Sequence, residues 1–411
     1  MRYQLPVYSP LSAGQIVRAC TPAFLRPRAS LRSLESALGI ALGGKAVLLT
    51  GSGTQALQLA LAVAAEGAAP VALPAYSCYD VASAAAGAGV PVVFYDIDPL
   101  TLTPRLGGIR DALSAGARTV VAGYLFGFPL DWGVLREECR AFGATLIEDA
   151  AQGIGASWDG VSAGGHGDLS ILSFGRGKGW TGGGGGTLVA RDSRWVGPLE
   201  RARAGMKTSP LLAEAKSAAL VTAQWLMGRP SLFSWVTRVP GARLGETHYK
   251  PPVAPRLITA FSSAVVLAHA AAASTEASAR RHLASTWVRV LSGDPAIAAR
   301  AGFCAPIDAD LCGFLRFPLL LGDGAADAVV RRGAHLGVSR AYPRTLPELE
   351  EMAEHAYRVG TDFPGAKRLA RSLVGLPTHS LMSPADLDRT LLLLSGYLGE
   401  EIPGGGMPAR G

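Results

Sequence analysis

Between residues 46 and 192 the chain repeats one pattern: a short, nearly continuous run of Val, Ile and Leu, then a loop or a stretch with helical spacing. The apolar runs are AVLLT (46–50), PVALP (70–74), PVVFYDID (91–98), RTVVAGYL (118–125), ATLIEDA (144–150), LSILSF (169–174) and GTLVARD (186–192). Runs without polar alternation belong to strands buried on both faces. TQALQLALAVAAE (54–66) and VASAAAGAG (81–89) have the spacing of helices that would cover them. The pattern predicts an α/β fold built on a mostly parallel, seven-stranded sheet.

The rest of the chain has a different rhythm. Residues 1–45 read as an irregular arm followed by a helix, LRSLESALGIAL. Residues 200–250, with Trp225, Met227, Phe233, Trp235 and several prolines and arginines, read as a helical insertion in a large domain of residues 1–255. An alanine-rich segment from 257 to about 291 predicts a long buried helix; Ser262, Ser263 and His269 make it too polar for a membrane span. LCGFLRFPLLL (311–321), a helix around 325–336 and a last helix after Pro384 predict a smaller α+β C-terminal domain within 256–400. GEEIPGGGMPARG predicts a disordered tail over 401–411.

Composition narrows the class. With 49% hydrophobic and 17% charged residues in 411, the chain is not intrinsically disordered. The net charge of +7 is spread along the chain and carries no nucleic-acid signature. Cys20, Cys78, Cys139, Cys304 and Cys312 form no CxxC pair and are odd in number. That argues against a disulfide framework or a structural metal and for a reducing cytoplasm. The amino-terminal MRYQLPVYSPLS has no apolar core of a signal peptide.

Three segments have the residue types for chemistry. Gly51-Ser52-Gly53-Thr54 joins a strand to a helix, where glycines permit a tight turn, Thr54 can cap, and free N–H groups attract a phosphate. Glu148-Asp149-Ala150-Ala151-Gln152 ends a strand, where open α/β sheets collect ligands, and a carboxylate there can hold a protonated ring nitrogen. In Ser173-Phe174-Gly175-Arg176-Gly177-Lys178-Gly179, a lysine among small residues follows a buried strand. That setting suits a Schiff base with an aldehyde cofactor, a chemistry that needs room and a readily deprotonated amine. Each segment alone also reads as ordinary turn, cap or loop. In this order they form a phosphate anchor, a ring-nitrogen carboxylate and a Schiff-base lysine, the parts of a pyridoxal 5′-phosphate (PLP) site.

The sequence resembles the DegT/StrS family of PLP-dependent sugar aminotransferases, with the fold type I of aspartate aminotransferase. SGTQALQLAL, PAYSCYDVASAAAGAGVPVVFYDID and IEDAAQGIGASWDGVSAGGHGDLSILSFGRGKGWTGGGGGTLVARD carry the resemblance, with HLGVSRAYPRTL, DFPGAKRLARSLVGLPTH and LMSPADL near the end. It implies that Lys178 binds the cofactor and shuttles the proton. Asp149 pairs with the ring nitrogen and Gln152 contacts the ring hydroxyl. Ser173, Gly53 and Thr54 hold the phosphate. The family's ring-stacking aromatic falls at Cys78, so either its thiol packs on the ring or Tyr76 or Tyr79 supplies the stack. A family N-x-R motif reads Ala254-Pro255-Arg256, and a glutamate usual in the lysine loop is missing from TGGGGGT. His166 receives no catalytic role.

The resemblance implies transfer of an amino group from an amino acid, expected to be L-glutamate, to a keto nucleotide sugar by a homodimer. The departures leave open elimination or transamination of a non-sugar metabolite, or a PLP-binding regulator. The aromatic and basic insertion leaves open a substrate lid or a peripheral membrane contact beside packing on a partner subunit.

Overall fold

The computed structural model describes residues 3–236, 248–295, 297, 301–306, 308–322, 324–358 and 362–399. All seven apolar runs are strands: β1 (Ala46–Thr50), β2 (Val71–Pro74), β3 (Val92–Tyr95), β4 (Thr119–Gly123), β5 (Thr145–Asp149), β8 (Leu169–Ser173) and β9 (Gly186–Ala190). A two-stranded ribbon, β6 (Ser157–Trp158) and β7 (Val161–Ser162), lies between β5 and β8. The sheet order is β1-β9-β8-β5-β4-β2-β3, continued by an eighth strand, β13 (Ala356–Arg358). Only β9 runs antiparallel to its neighbours. The eighth strand lies outside the seven-run pattern. Ala356 and Arg358 pair with Val92 and Val93 at the edge of β3 and cover backbone groups that would otherwise be exposed.

Helices α3 (Gly53–Ala64), α4 (Tyr79–Ala88), α5 (Leu106–Ser114) and α6 (Trp132–Ala141) connect the strands. Their apolar faces join the sheet in one core that contains Leu57, Leu61, Ile109, Leu113 and Trp132. The carboxyl ends of the parallel strands come into register: Gly123 beside Asp149, Asp149 beside Ile171, and Ser173 beside the start of β9 at Gly186. Every ring- or phosphate-binding candidate thus falls at one end of one sheet.

The amino-terminal arm is more ordered than its sequence suggests. It forms α1 (Ala13–Leu25) and α2 (Pro27–Leu42). Pro22 and Pro27 read as breakers in sequence. In the fold, Pro22 sits inside α1, and Pro27 takes the first position of α2, where no N–H is needed. Ser12 and Gln15 close a capping box that starts α1.

The insertion is helical, with α7 (Val196–Ala204), α8 (Leu211–Met227) and α9 (Pro230–Val236). Two of the insertion's arginines, Arg238 and Arg243, lie outside the described residues, as does the tail over 401–411. The long helix α10 runs from Ala260 to Gly293. Glu214 of α8 accepts the N–H groups of Ala260 and Phe261 at 2.8 and 2.9 Å and so caps α10. A second, four-stranded sheet follows in the order β10 (Gly302–Phe303), β11 (Phe317–Leu320), β14 (Leu373–Leu376), β12 (Ser339–Arg340). Among the described residues, no helix is long and apolar enough to cross a membrane.

Candidate functional site

Two joined hollows open at the carboxyl end of the large sheet. The wider has a volume of about 480 Å³. Both are lined by Cys78, Val81, Asp149, Ala151 and Lys178. The wider continues to Ser52, Gly53, Thr54 and Ser173. The narrower runs under Tyr76, Tyr124 and Gln152.

At the wide end, Ser52 caps α3: its Oγ accepts the N–H of Gln55 at 3.2 Å. The cap is therefore Ser52 and not Thr54, because the helix begins at Gly53 and a cap must precede it. Gly53 and Thr54 then present the first N–H groups of the helix to the cavity. A side chain at Gly53 would bring its Cβ within 2.7 Å of Ser173 Cβ, so only glycine lets Ser173 approach the helix start. This is a cradle for a phosphate: helix dipole, free amides and a serine hydroxyl on one spot.

Gln55, one turn further on, fastens the segment that departs from the family motif. Its side chain accepts from the N–H of Arg256 at 3.2 Å and donates to the carbonyl of Ala254 at 3.3 Å. Arg256 and Lys250 line the wide hollow with Arg176.

Asp149 ends β5, and one carboxylate oxygen accepts the N–H of Ala151 at 3.0 Å. Burial pushes its carboxyl above the ordinary range, against the opposing pull of that N–H and of the Lys178 charge. A protonated ring nitrogen is the partner that would relieve this burial. Its neighbour Glu148 has a different fate. Its oxygens accept from the Tyr124 hydroxyl at 2.9 Å, the N–H groups of Gly164, His166 and Gly167 at 2.7, 2.7 and 3.0 Å, and the Ser170 hydroxyl at 2.7 Å. Glu148 is fully buried and holds the 164–170 loop in place. His166 stacks flat on Trp132 at 5.4 Å, which fits a structural histidine.

Lys178 stands on the loop after β8. Helix α10 holds that loop from behind. The Trp180 indole donates to the Val266 carbonyl at 2.9 Å, and the Thr181 N–H donates to His269 Nδ1 at 3.2 Å. Gly179 has φ +78°, and a Cβ there would lie 2.5 Å from Arg280 Nη2. The guanidinium of Arg280, 1% exposed, has no hydrogen-bond partner on any nitrogen.

The remaining candidates separate. Cys78 lies at the start of α4, and burial pushes its thiol up to about 11, so it stays protonated at neutral pH. Gln152 lines the narrow hollow, with its amide strung between the Phe126 N–H at 3.3 Å and the Tyr342 hydroxyl at 2.9 Å. Tyr79 lines neither hollow. Its hydroxyl accepts from the Arg344 N–H at 2.9 Å, which turns the ring toward Tyr342, 6.0 Å between centroids. Tyr76 lines the narrow end, edge-on to Tyr342 at 5.6 Å.

The structure therefore brings together Gly53, Thr54, Cys78, Asp149, Gln152, Ser173 and Lys178. Lys250 and Arg256 also line the wide hollow, Tyr342 bonds Gln152 beside the narrow one, and Arg280 backs Gly179; sequence reasoning gave none of them a role, although Arg256 sits at the family N-x-R position. Among the described residues no group of three or more His, Cys, Asp or Glu is placed to hold a metal ion. The cradle, the under-partnered carboxylate and the lysine fit PLP.

Residues 19–207 match the model of the DegT/DnrJ/EryC1/StrS aminotransferase family. A dTDP-4-dehydro-2,3,6-trideoxy-D-glucose 4-aminotransferase of Saccharopolyspora spinosa is 34% identical over 169 residues, 41% of this chain and 44% of that protein. An L-glutamine:2-deoxy-scyllo-inosose aminotransferase of Streptomyces kanamyceticus is 33% identical over 154 residues, 37% of this chain and 36% of that protein. The chain thus matches less than half the length of these relatives. The solved aminotransferase TlmJ of Streptoalloteichus hindustanus superimposes with a TM-score of 0.74 at 22% identity, over 97% of this chain and 99% of that one. That likeness is one of fold.

Proposed function

From the match of residues 19–207 to the DegT/DnrJ/EryC1/StrS aminotransferase family model, we propose that the protein is a PLP-dependent aminotransferase acting on a keto sugar or sugar-like ring. The observation that carries the reading is the meeting of Lys178 and Asp149 on one wall of a cavity whose far end is the Gly53–Ser173 cradle.

When bound, PLP supplies an electron sink and a carrier for the amino group. This chain's residues do the rest. Gly53, Thr54 and Ser173 hold the phosphate and so fix the register of the ring. The Asp149 carboxylate keeps the ring nitrogen protonated. Gln152 is preset by Phe126 and Tyr342 to meet the ring hydroxyl, and the neutral Cys78 thiol takes the place usual for a stacking aromatic. Lys178 Nζ would anchor the cofactor and, when free, would take up and return a proton as base and then acid.

We take L-glutamate as the donor. Arg176, Lys250 and Arg256 around the wide hollow support an anionic acceptor, and a nucleotide-linked keto sugar fits that charge. A homodimer is part of the same reading. The exposed leucines of the insertion, Leu211 and Leu212 at 74% and 80%, offer an apolar face for a partner subunit.

The test is the visible spectrum of the purified, PLP-loaded protein before and after L-glutamate. A cofactor band that bleaches with the donor, and is absent in Lys178→Ala, supports the reading. A band that no amino donor changes points to elimination chemistry or a regulator. No band after incubation with PLP overturns the cofactor and the function together.

A further inference from the structure

The loop that bears Lys178 is closed at its base, and part of the clasp comes from helix α8 of the insertion. Phe174, the first residue after β8, accepts through its carbonyl from the Gly182 N–H at 3.0 Å and the Thr181 hydroxyl at 3.2 Å. Lys178 stands on the span between them. Thr181 Oγ1 also accepts the Gly183 N–H at 3.0 Å. A second acceptor for its hydroxyl, at 3.3 Å, is Oε1 of Gln224 on α8. One turn earlier on that helix, Val221 is fully buried against Gly183, where a Cβ would lie 2.5 Å from Val221 Cγ2.

Helix α8 belongs to an excursion from one point of the chain. The family match ends at Lys207, and the Leu257 N–H donates to the Lys207 carbonyl at 3.2 Å, so the segment leaves and returns at one place. A surface helix ordinarily turns its polar side to water. This one turns Glu214, Ser217 and Gln224 inward, to the start of α10, to Thr259 and to Thr181, and leaves Leu212, Leu220 and Leu226 exposed. The lysine loop needs such outside support. Gly175, Gly177, Gly179 and the run Gly182–Gly186 give it little stiffness of its own. A shift at its base swings Nζ at the end of a long, flexible stem, and a misplacement of about 1 Å at a reacting group can cost on the order of 100-fold in rate.

We propose that Gln224 is a positioning residue for Lys178. By holding Thr181 at the base of the loop, it keeps the lysine on the wall that it shares with Asp149. The proposal rests on the aminotransferase reading above.

The experiment uses the full chain and two variants. Gln224→Leu keeps the size and loses the polar contact; Gln224→Glu keeps an oxygen to accept the Thr181 hydroxyl. Hydrogen exchange is read on the cofactor-free chain. Rapid-mixing absorbance on the PLP-loaded chain gives the limiting rate and the half-saturating concentration with L-glutamate. In Gln224→Leu the amides of residues 175–183 should exchange about ten-fold faster, with β8 and α10 unchanged. The limiting rate should fall about ten-fold or more, while half-saturation changes less than about three-fold and the melting temperature by less than about 2 °C. Gln224→Glu should restore both the exchange and the rate to within about three-fold of wild type. Unchanged loop exchange overturns the proposal. So does a limiting rate that stays at the wild-type value, or a loss of rate that Gln224→Glu does not restore. Should Gln224→Leu fail to fold, Gln224→Asn, too short to reach Thr181, takes its place under the same criteria. A wild-type cofactor band that no amino acid bleaches removes the aminotransferase reading and with it the role at Lys178, a result distinct from unchanged loop exchange.

Discussion

Two buried regions meet at Lys178 and are built on opposite terms. On the large sheet, the exit of β5 is locally satisfied: Glu148 takes five hydrogen bonds from Tyr124, Ser170 and the 164–167 backbone. On the C-terminal side, Arg280 and Arg316 bury guanidinium nitrogens with no hydrogen-bond partner. Buried polar groups are normally paired, because an unpaired one loses its hydration without return. The saturated carboxylate therefore holds a frame, whereas the unsaturated groups carry a desolvation cost that no protein contact returns. Asp149 belongs with the second kind although it adjoins Glu148 in sequence.

The largest effect should fall on the unsaturated side. Lys178→Ala should abolish amine exchange, and Asp149→Asn should slow the half-reaction with glutamate on the order of 10²–10⁴-fold. Single-turnover absorbance reads both. Asp149 adds a stability signature of opposite sign. Its carboxyl is raised by burial, so the folded state favours the proton. The associated stability is present below the ordinary pKa and is lost as pH rises through the folded value. Asp149→Asn should then melt higher than wild type at neutral pH without cofactor, by a few degrees. A lower melting point would place Asp149 with Glu148 as a frame residue.

Glu148→Ala should do the reverse and cost stability first, by about 3–5 kcal/mol, since five donors lose their acceptor. Urea denaturation tests this. A variant that folds normally but has lost activity would erase the contrast.

Next in size is an acid limb from the helix that backs the lysine loop and its surroundings. His269 and His379, both buried, are each lowered by burial to about 4. The unfolded chain takes up these protons first. Stability is complete above the ordinary value of 6.5 and is lost as pH falls toward 4, by up to about 3 kcal/mol per histidine. Melting curves between pH 7 and 4 should show it, and His379→Gln should flatten the slope.

The smallest expected change is Gly179→Ala. The methyl meets Arg280 and strains a left-handed turn, at about 1–2 kcal/mol. It should lower cofactor occupancy more than the melting point. An equal fall in both would assign Arg280 to the frame.

Much of the frame was legible in the chain. The seven Val/Ile/Leu runs became seven strands because strands buried on both faces leave no choice of register face. The order of Gly53, Asp149 and Lys178 predicted a site because all three follow strands whose carboxyl ends share one edge. Tyr79 stands outside both hollows. Sequence distance placed it beside Cys78, while the turn of α4 and the backbone of Arg344 drew its ring away. Residues 13–25 were hidden by prolines whose helical tolerance depends on position within the turn.

The sequence by itself determined the sheet, the lysine loop and the residue types at the strand ends. Short-range spacing and apolar runs encode those directly. Only the tertiary structure decided which carboxylate is spent on the frame and which faces the cavity. It alone brought Tyr342 onto Gln152 and Arg280 against Gly179, each from at least a hundred residues away. Such a side chain acquires its role from the charges and voids around it after packing, and no local pattern records them.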